Sequence, residues 1–247
     1  MSVKRTPGAA LWISLTASAL VLGLGAGTGW WFLVGRDLEH AASLSQSADD
    51  VVFTGDDLHF FLLGEKSLAE AGLPITLGTV DSVFFADAGM GARFEPEQCG
   101  AIYHDVTDAP AGARRIDGSI NEDGTDGYSQ QVVQFATLDE AIAAYESVTG
   151  TLDSCAEFVA QGVGEESQTL ALSQLSGSDN GPTVALIGPE GSDATWGWII
   201  LRRANVVVVT GYSAMTASVT EEQARALGMA VHERAVYATA KKRSSGE

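Results

Sequence analysis

The hydrophobic pattern of this chain changes character once, near residue 35. Residues 9–34 carry no charged side chain, while Lys4 and Arg5 precede the run and Arg36, Asp37 and Glu39 follow it. A helix needs roughly 20 apolar residues to cross a bilayer, and this run is longer. The basic residues ahead of it keep the N-terminus cytoplasmic, and Trp12, Trp30 and Trp31 stand where interfacial anchors belong. A cleaved signal peptide is the alternative, but its apolar core is normally shorter. The best small-residue cleavage site, Gly25-Ala26-Gly27, is followed at once by Trp30, Trp31 and Phe32. The pattern therefore predicts a cytoplasmic tail (1–8), a transmembrane signal-anchor helix (9–34) and an extracytoplasmic remainder at the cell membrane. Within the span, Gly23, Gly25, Gly27 and Gly29 give two overlapping G-x-x-x-G spacings, a candidate pairing face for a homodimer.

Beyond a small, polar, acidic linker (35–50) the pattern alternates between helical and strand periods, and residues 51–240 read as one folded module. Thr54 or Asp56 caps a predicted helix whose apolar face is Leu58, Phe61, Leu62, Leu68 and Ala69, stopped at Gly72-Leu73-Pro74. Strands are predicted at 79–86, 101–106, 113–120 and 128–136. Thr137 with Glu140 forms a capping box, opening a helix with Leu138, Ala141, Ile142, Tyr145 and Val148 inward. Further strands follow at 155–161, 166–175, 183–187, 195–202 and 205–212, the last two joined tightly at Arg203-Ala204. A second capping box, Thr220 with Gln223, opens a closing helix, and residues 241–247 make a basic C-terminal tail. The fold class is α+β: an antiparallel sheet with flanking helices.

Charge narrows the functional classes. The chain carries 14 basic and 32 acidic residues, a net charge of −18, and no acid precedes Asp37. An extracytoplasmic surface this negative repels nucleic acid. Cys99 and Cys155 are the only cysteines, and an oxidising compartment favours a disulfide between them over two buried thiols. Chemistry finds only near misses. Ser213 follows a strand as a hydrolase nucleophile does, but Met215 stands where the motif needs glycine, and His232 is the only later histidine. Ser119, Asn121, Asp123 and Gly124 imitate part of a calcium loop that ends on Gln130 instead of glutamate. His40, His59, His104 and His232 lack ligand spacing, so no metal, cofactor or catalytic residue is expected.

A binding surface is the remaining candidate. Trp196 and Trp198 share one face of a strand, and Tyr128, Gln130 and Gln134 share one face of another. Side by side, they would form a pocket with an apolar floor and an amide rim. The alternative is an ordinary core stripe beneath a helix.

Residues 95–99 (EPEQC), Val132-Val133-Gln134-Phe135 followed by Ala141, then Cys155, then Asn205 and the valines 206–209 together resemble the extracellular sensor domain of PknH-type kinases. The resemblance spans roughly residues 51–240. It implies an antiparallel sheet with flanking helices, the Cys99–Cys155 bridge, and a cleft for an unidentified ligand. Members often place Trp three residues before the second cysteine, where this chain has Leu152, and many carry a second cysteine pair. The expected function is a non-catalytic, membrane-anchored ligand-binding or sensor module. The alternative is an envelope interaction or structural module, and a hydrolase rests on Ser213 alone.

Overall fold

The computed structural model describes residues 48–81, 93–102, 111–119, 127–162, 166–178, 181–214 and 218–245. The predicted span over 9–34, its glycines Gly23, Gly25, Gly27 and Gly29, and residues 120–126 lie outside them. Among the described residues no helix is long and apolar enough to cross a membrane.

One antiparallel sheet organises the module. Its strands are β1 (Thr76–Asp81), β2 (Arg93–Glu95), β3 (Gly112–Ser119), β4 (Gly127–Gln134), β5 (Glu157–Gln161), β6 (Gln168–Ser178), β7 (Gly181–Pro189), β8 (Trp196–Arg203) and β9 (Val206–Ser213). Their spatial order is β1-β3-β4-β9-β8-β7-β6-β5-β2. Strands β5 to β9 form an up-and-down meander whose last member docks on β4. The helices are α1 (Glu65–Glu70), α2 (Leu138–Thr149) and α3 (Glu221–Ser245).

Both sheet faces are covered, which explains why β8 and β9 read as near-continuous apolar runs, not as alternating ones. One face packs Val132, Val184, Ile199, Leu201, Val206 and Val208 against α3 and the segment from Ala48 to Ile75. There Gly228 lets α3 lie close to β7, since a Cβ on it would stand 2.6 Å from Val184 Cγ2. The other face packs Val133, Ala185, Ile187, Trp198, Ile200 and Val207 against α2 and the bridged Cys99–Cys155 pair. Tyr145 of α2 is fixed to that face by a 2.9 Å hydroxyl–hydroxyl bond with Thr183 of β7.

Both capping boxes form: Thr137 Oγ1 accepts from Glu140 N and Thr220 Oγ1 from Gln223 N, each at 3.2 Å. Several predicted boundaries move. The first helix splits into a 3-10 helix, Gly55–Phe61, and α1. Phe61, Leu62 and Leu63 are all buried, a run of three that is wider than the apolar stripe of a surface helix. The backbone between the two pieces bonds instead to Gln130 of β4, whose Oε1 accepts from Leu63 N at 2.8 Å. The strand predicted at 101–106 starts inside a second 3-10 helix, Glu97–Ile102, which buries Ile102 beside the disulfide. The β8–β9 turn sits one residue later than predicted, at Ala204-Asn205, with Ala204 in the left-handed region at φ 52°.

The described chain begins at the Arg203 end of β8. Asn205, buried in that turn, accepts from Phe53 N at 2.8 Å and donates to the carbonyls of Phe53 and Phe135 at 3.0 and 2.9 Å. Ion pairs add to this clamp: Asp49 with Arg202 at 2.9 Å, Asp50 with Arg243 at 2.6 Å, and Asp57 with Lys242 at 2.8 Å. The last linker residues thus belong to the folded body. The predicted tail does too, since α3 runs through Ser245 and its Lys242 and Arg243 bind acids besides meeting the helix dipole.

Asp57 Oδ2 also accepts from Thr54 N at 2.7 Å and from the Thr54 hydroxyl at 2.8 Å. Burial pushes this carboxyl up, but the Lys242 ammonium and the two Thr54 donors outweigh it and hold Asp57 below the usual carboxylate range. A depressed acid stabilises the fold above its unfolded-state pKa, about 3.9 for Asp, and that contribution is lost as pH falls through the lower folded value. Lys242→Met is therefore expected to cost about 1–2 kcal/mol near neutrality, and the gap to wild type should close below about pH 4. Urea midpoints measured across that range provide the check, and a gap that persists in acid would refute the assignment.

Candidate functional site

Register decides which side chains meet. Across β3, β4, β9 and β8 the rows read Ser119–Gly127–Ser213–Trp196, then Asp117–Ser129–Gly211–Trp198, then Arg115–Gln131–Val209–Ile200. Residues directly opposite in an antiparallel sheet share a face. Trp196 and Trp198 therefore share theirs with Ser129 and Gln131, the odd-numbered positions of β4.

This corrects the predicted pocket. Tyr128, Gln130 and Gln134 lie on the opposite face, in rows with Tyr212, Thr210 and Val206. Gln130 is wholly buried there: its Oε1 accepts from Leu63 N and, at 3.2 Å, from the Tyr128 hydroxyl, while Nε2 donates to Phe61 O at 3.3 Å. Burial pushes the Tyr128 phenol well up, so it stays a neutral donor. These two side chains fasten the split N-terminal helix to the sheet. Ser213 and His232 are divided in the same way. Ser213 shares the Trp196 face and donates to Gly127 O at 3.5 Å, whereas His232 is buried on α3 across the sheet.

The tryptophan face has a definite construction. Trp198 is 1% exposed, packed into the core beneath α2, whereas Trp196 is half-buried. The Trp196 indole lies over Gly211, where a Cβ would come within 2.8 Å of its Nε1. Glycine in the middle row is thus what makes room for that ring. On β3, Arg115 Nε donates to both Asp117 oxygens at 3.0 and 2.9 Å. Among the described residues, two buried donors on this face, Gln131 Nε2 and Trp198 Nε1, have no hydrogen-bond partner, and another such atom, Thr210 Oγ1, is across the sheet. An orphaned buried donor costs about 1–3 kcal/mol, and native folds keep few.

The site stands at the Trp196 end of β8, and the first described residues lie at the Arg203 end. Eight-residue strands put the two ends about 24 Å apart. Gln131 was outside the predicted site because the sequence does not say which parity of β4 meets the tryptophans. Its position midway along an apolar strand was the available signal. A separate open groove of about 460 Å³ runs between α1 and α3, with Met229 and Tyr237 each 49% exposed beside it.

No curated protein sequence matches the chain. Among solved structures, the extracellular domain of PknH from Mycobacterium tuberculosis aligns with a TM-score of 0.61 at 16% identity, covering 77% of this chain and 98% of that one, a likeness of fold. An uncharacterized protein from Mycobacterium smegmatis aligns at a TM-score of 0.40 and 11% identity, over 73% of this chain and 97% of that one. The family described as the PknH-like extracellular domain matches residues 80–234, which takes in every strand from β2 to β9, the disulfide and most of α3. The chain belongs to the PknH-like extracellular domain family, and its folded module is extracytoplasmic.

Proposed function

We propose that this protein is a membrane-anchored, non-catalytic recognition module of the sensor type, which binds a small ligand on the sheet face around Trp196 and Gln131. The observation that carries the reading is the pair of buried, partnerless donors on that face, next to a half-buried indole. Residues 9–34, long and apolar enough for one span, would supply the anchor. The groove beside Met229 and Tyr237 supports a second reading, an envelope protein that binds another protein there.

Screening small molecules against the full-length chain in nanodiscs, by tryptophan fluorescence, tests both. Ligands of the proposed face should lose about tenfold or more in affinity in Trp196→Leu and in Gly211→Ala, whose new Cβ displaces the indole, and should be unaffected by Met229→Ala. Ligands that bind all these variants alike would dismiss the tryptophan face. Loss confined to Met229→Ala would favour the second reading.

A further inference from the structure

We infer that the groove between α1 and α3 receives a basic amphipathic helix of a partner protein. This rests on the second reading above, docking of a protein beside Met229 and Tyr237, and adds the chemistry of the partner. Two clefts flank Met229: the groove of about 460 Å³ toward α1, and another of about 320 Å³ toward β6 and β7, walled by Pro182 and Val184. Met229 lines both, so its thioether stands as a ridge between two recesses. Along α3, Ala226, Met229, Ala230, Glu233 and Tyr237 recur at steps of three and four residues and share one stripe. That stripe covers about three turns, or about 16 Å. Alanines at 71, 226 and 230 recess the floor, whereas Met229 and Tyr237 rise from it, each 49% exposed. A third helix lays its apolar face into such a groove through anchors at i, i+3 or i+4, and i+7, and a methionine ridge adapts to the fit.

Charge selects the partner. Glu70 and Glu233 stand on the rim. The neighbouring cations are already engaged: Arg234 donates to Leu62 O at 2.9 Å and lies 4.9 Å over the Tyr237 ring, and Arg225 holds Glu221 at 2.7 Å. Lys66 faces Glu70 at 3.7 Å, but both side chains are mostly exposed, and such a pair contributes little against a competing cation. A second copy would set an acidic rim against its own like, on a chain of net charge −18. A bilayer surface fits no better, since helices that lie on membranes carry basic polar faces. Lysine or arginine beside an apolar stripe complements both the floor and the rim.

The test uses three designed helical peptides that share one leucine stripe and carry lysine, glutamate or glutamine beside it. Each is titrated into the full-length chain in nanodiscs of neutral lipid, with empty nanodiscs as the blank. Peptide anisotropy gives the affinity, and NMR of the isotope-labelled Met229 methyl reports the place. The lysine peptide should move the Met229 signal and bind about tenfold more tightly than the other two at low salt, a margin that shrinks as salt rises. Glu70→Lys/Glu233→Lys, changed only at exposed positions, should reverse the order in favour of the glutamate peptide. Met229→Ala should weaken the lysine peptide about tenfold by removing the ridge. Equal binding of all three peptides at the Met229 methyl would overturn the basic partner and leave the groove as a protein-docking face. Silence from all three, or binding that leaves the Met229 signal unmoved, would overturn the inference and the second reading with it. Broadening of the Met229 signal by spin-labelled lipid would assign the groove to the bilayer, and a dimer dissolved by Met229→Glu would assign it to a second copy; either overturns the inference.

Discussion

Replacing Asn205 with alanine should cost about 3 kcal/mol of folding free energy, because three buried backbone groups lose their partner at once. The side chain is 2% exposed and satisfies Phe53 N–H, Phe53 C=O and Phe135 C=O. Those groups belong to the N-terminal segment and to the residue just after β4, so one amide joins two stretches remote in sequence to the β8–β9 turn. Its own backbone carbonyl adds a fourth tie, accepting from Phe135 N at 2.8 Å. Asn205→Asp sharpens the test. It keeps the acceptor for Phe53 N–H but buries a charge against two carbonyl oxygens, and it should be at least as damaging as alanine near neutrality. Urea unfolding gives the free energy, and hydrogen exchange at the Phe53 amide localises it. A loss below about 1 kcal/mol in both variants would mean that the core holds the segment without this clamp.

Removing the disulfide should be comparably severe. Cys99 and Cys155 are fully buried and lie 56 residues apart in sequence. Closing a loop of that size restricts the unfolded chain, and loss of such a bridge from a secreted domain typically costs about 2–5 kcal/mol. The bridge joins the 3-10 helices Glu97–Ile102 and Leu152–Cys155, neither long enough to hold itself. The Cys99→Ala/Cys155→Ala double variant should lower the melting temperature and expose the amides of 97–102 to exchange first. The native protein should react with thiol reagents only after reduction. An unchanged melting temperature would show that packing of Ile102, Leu152 and Phe158 alone sustains that face.

The two predictions differ in how visible they were beforehand. The cysteine pair was legible because the chain has two cysteines and a run of apolar residues that assigns them to an oxidising compartment. Asn205 reads from the sequence as the first residue of a strand, one position beyond the turn. What it binds, Phe53 and Phe135, lies 152 and 70 positions away, and no local pattern encodes such a contact. The first helix failed for the same reason. Local periodicity supported one continuous helix, yet Gln130 of a distant strand takes up the backbone where the 3-10 helix stops. Where the competing bonds were local, as in the capping boxes at Thr137 and Thr220, prediction and structure agree.

The sequence by itself determined the α+β class, the strands of the meander, both capped helices and the family, because apolar period and capping chemistry are properties of neighbouring residues. Only the tertiary structure decided which side chains share the tryptophan face. A two-residue period divides β4 into two sets of side chains but does not say which set the tryptophans join, and a slip of one residue exchanges them. The fold paired the odd set, with Gln131, to Trp196 and Trp198, and turned Tyr128 and Gln130 to fastening the N-terminal segment. The same assembly set residues 48–53 and Trp196 at opposite ends of β8, a relation between parts that no stretch of sequence carries alone.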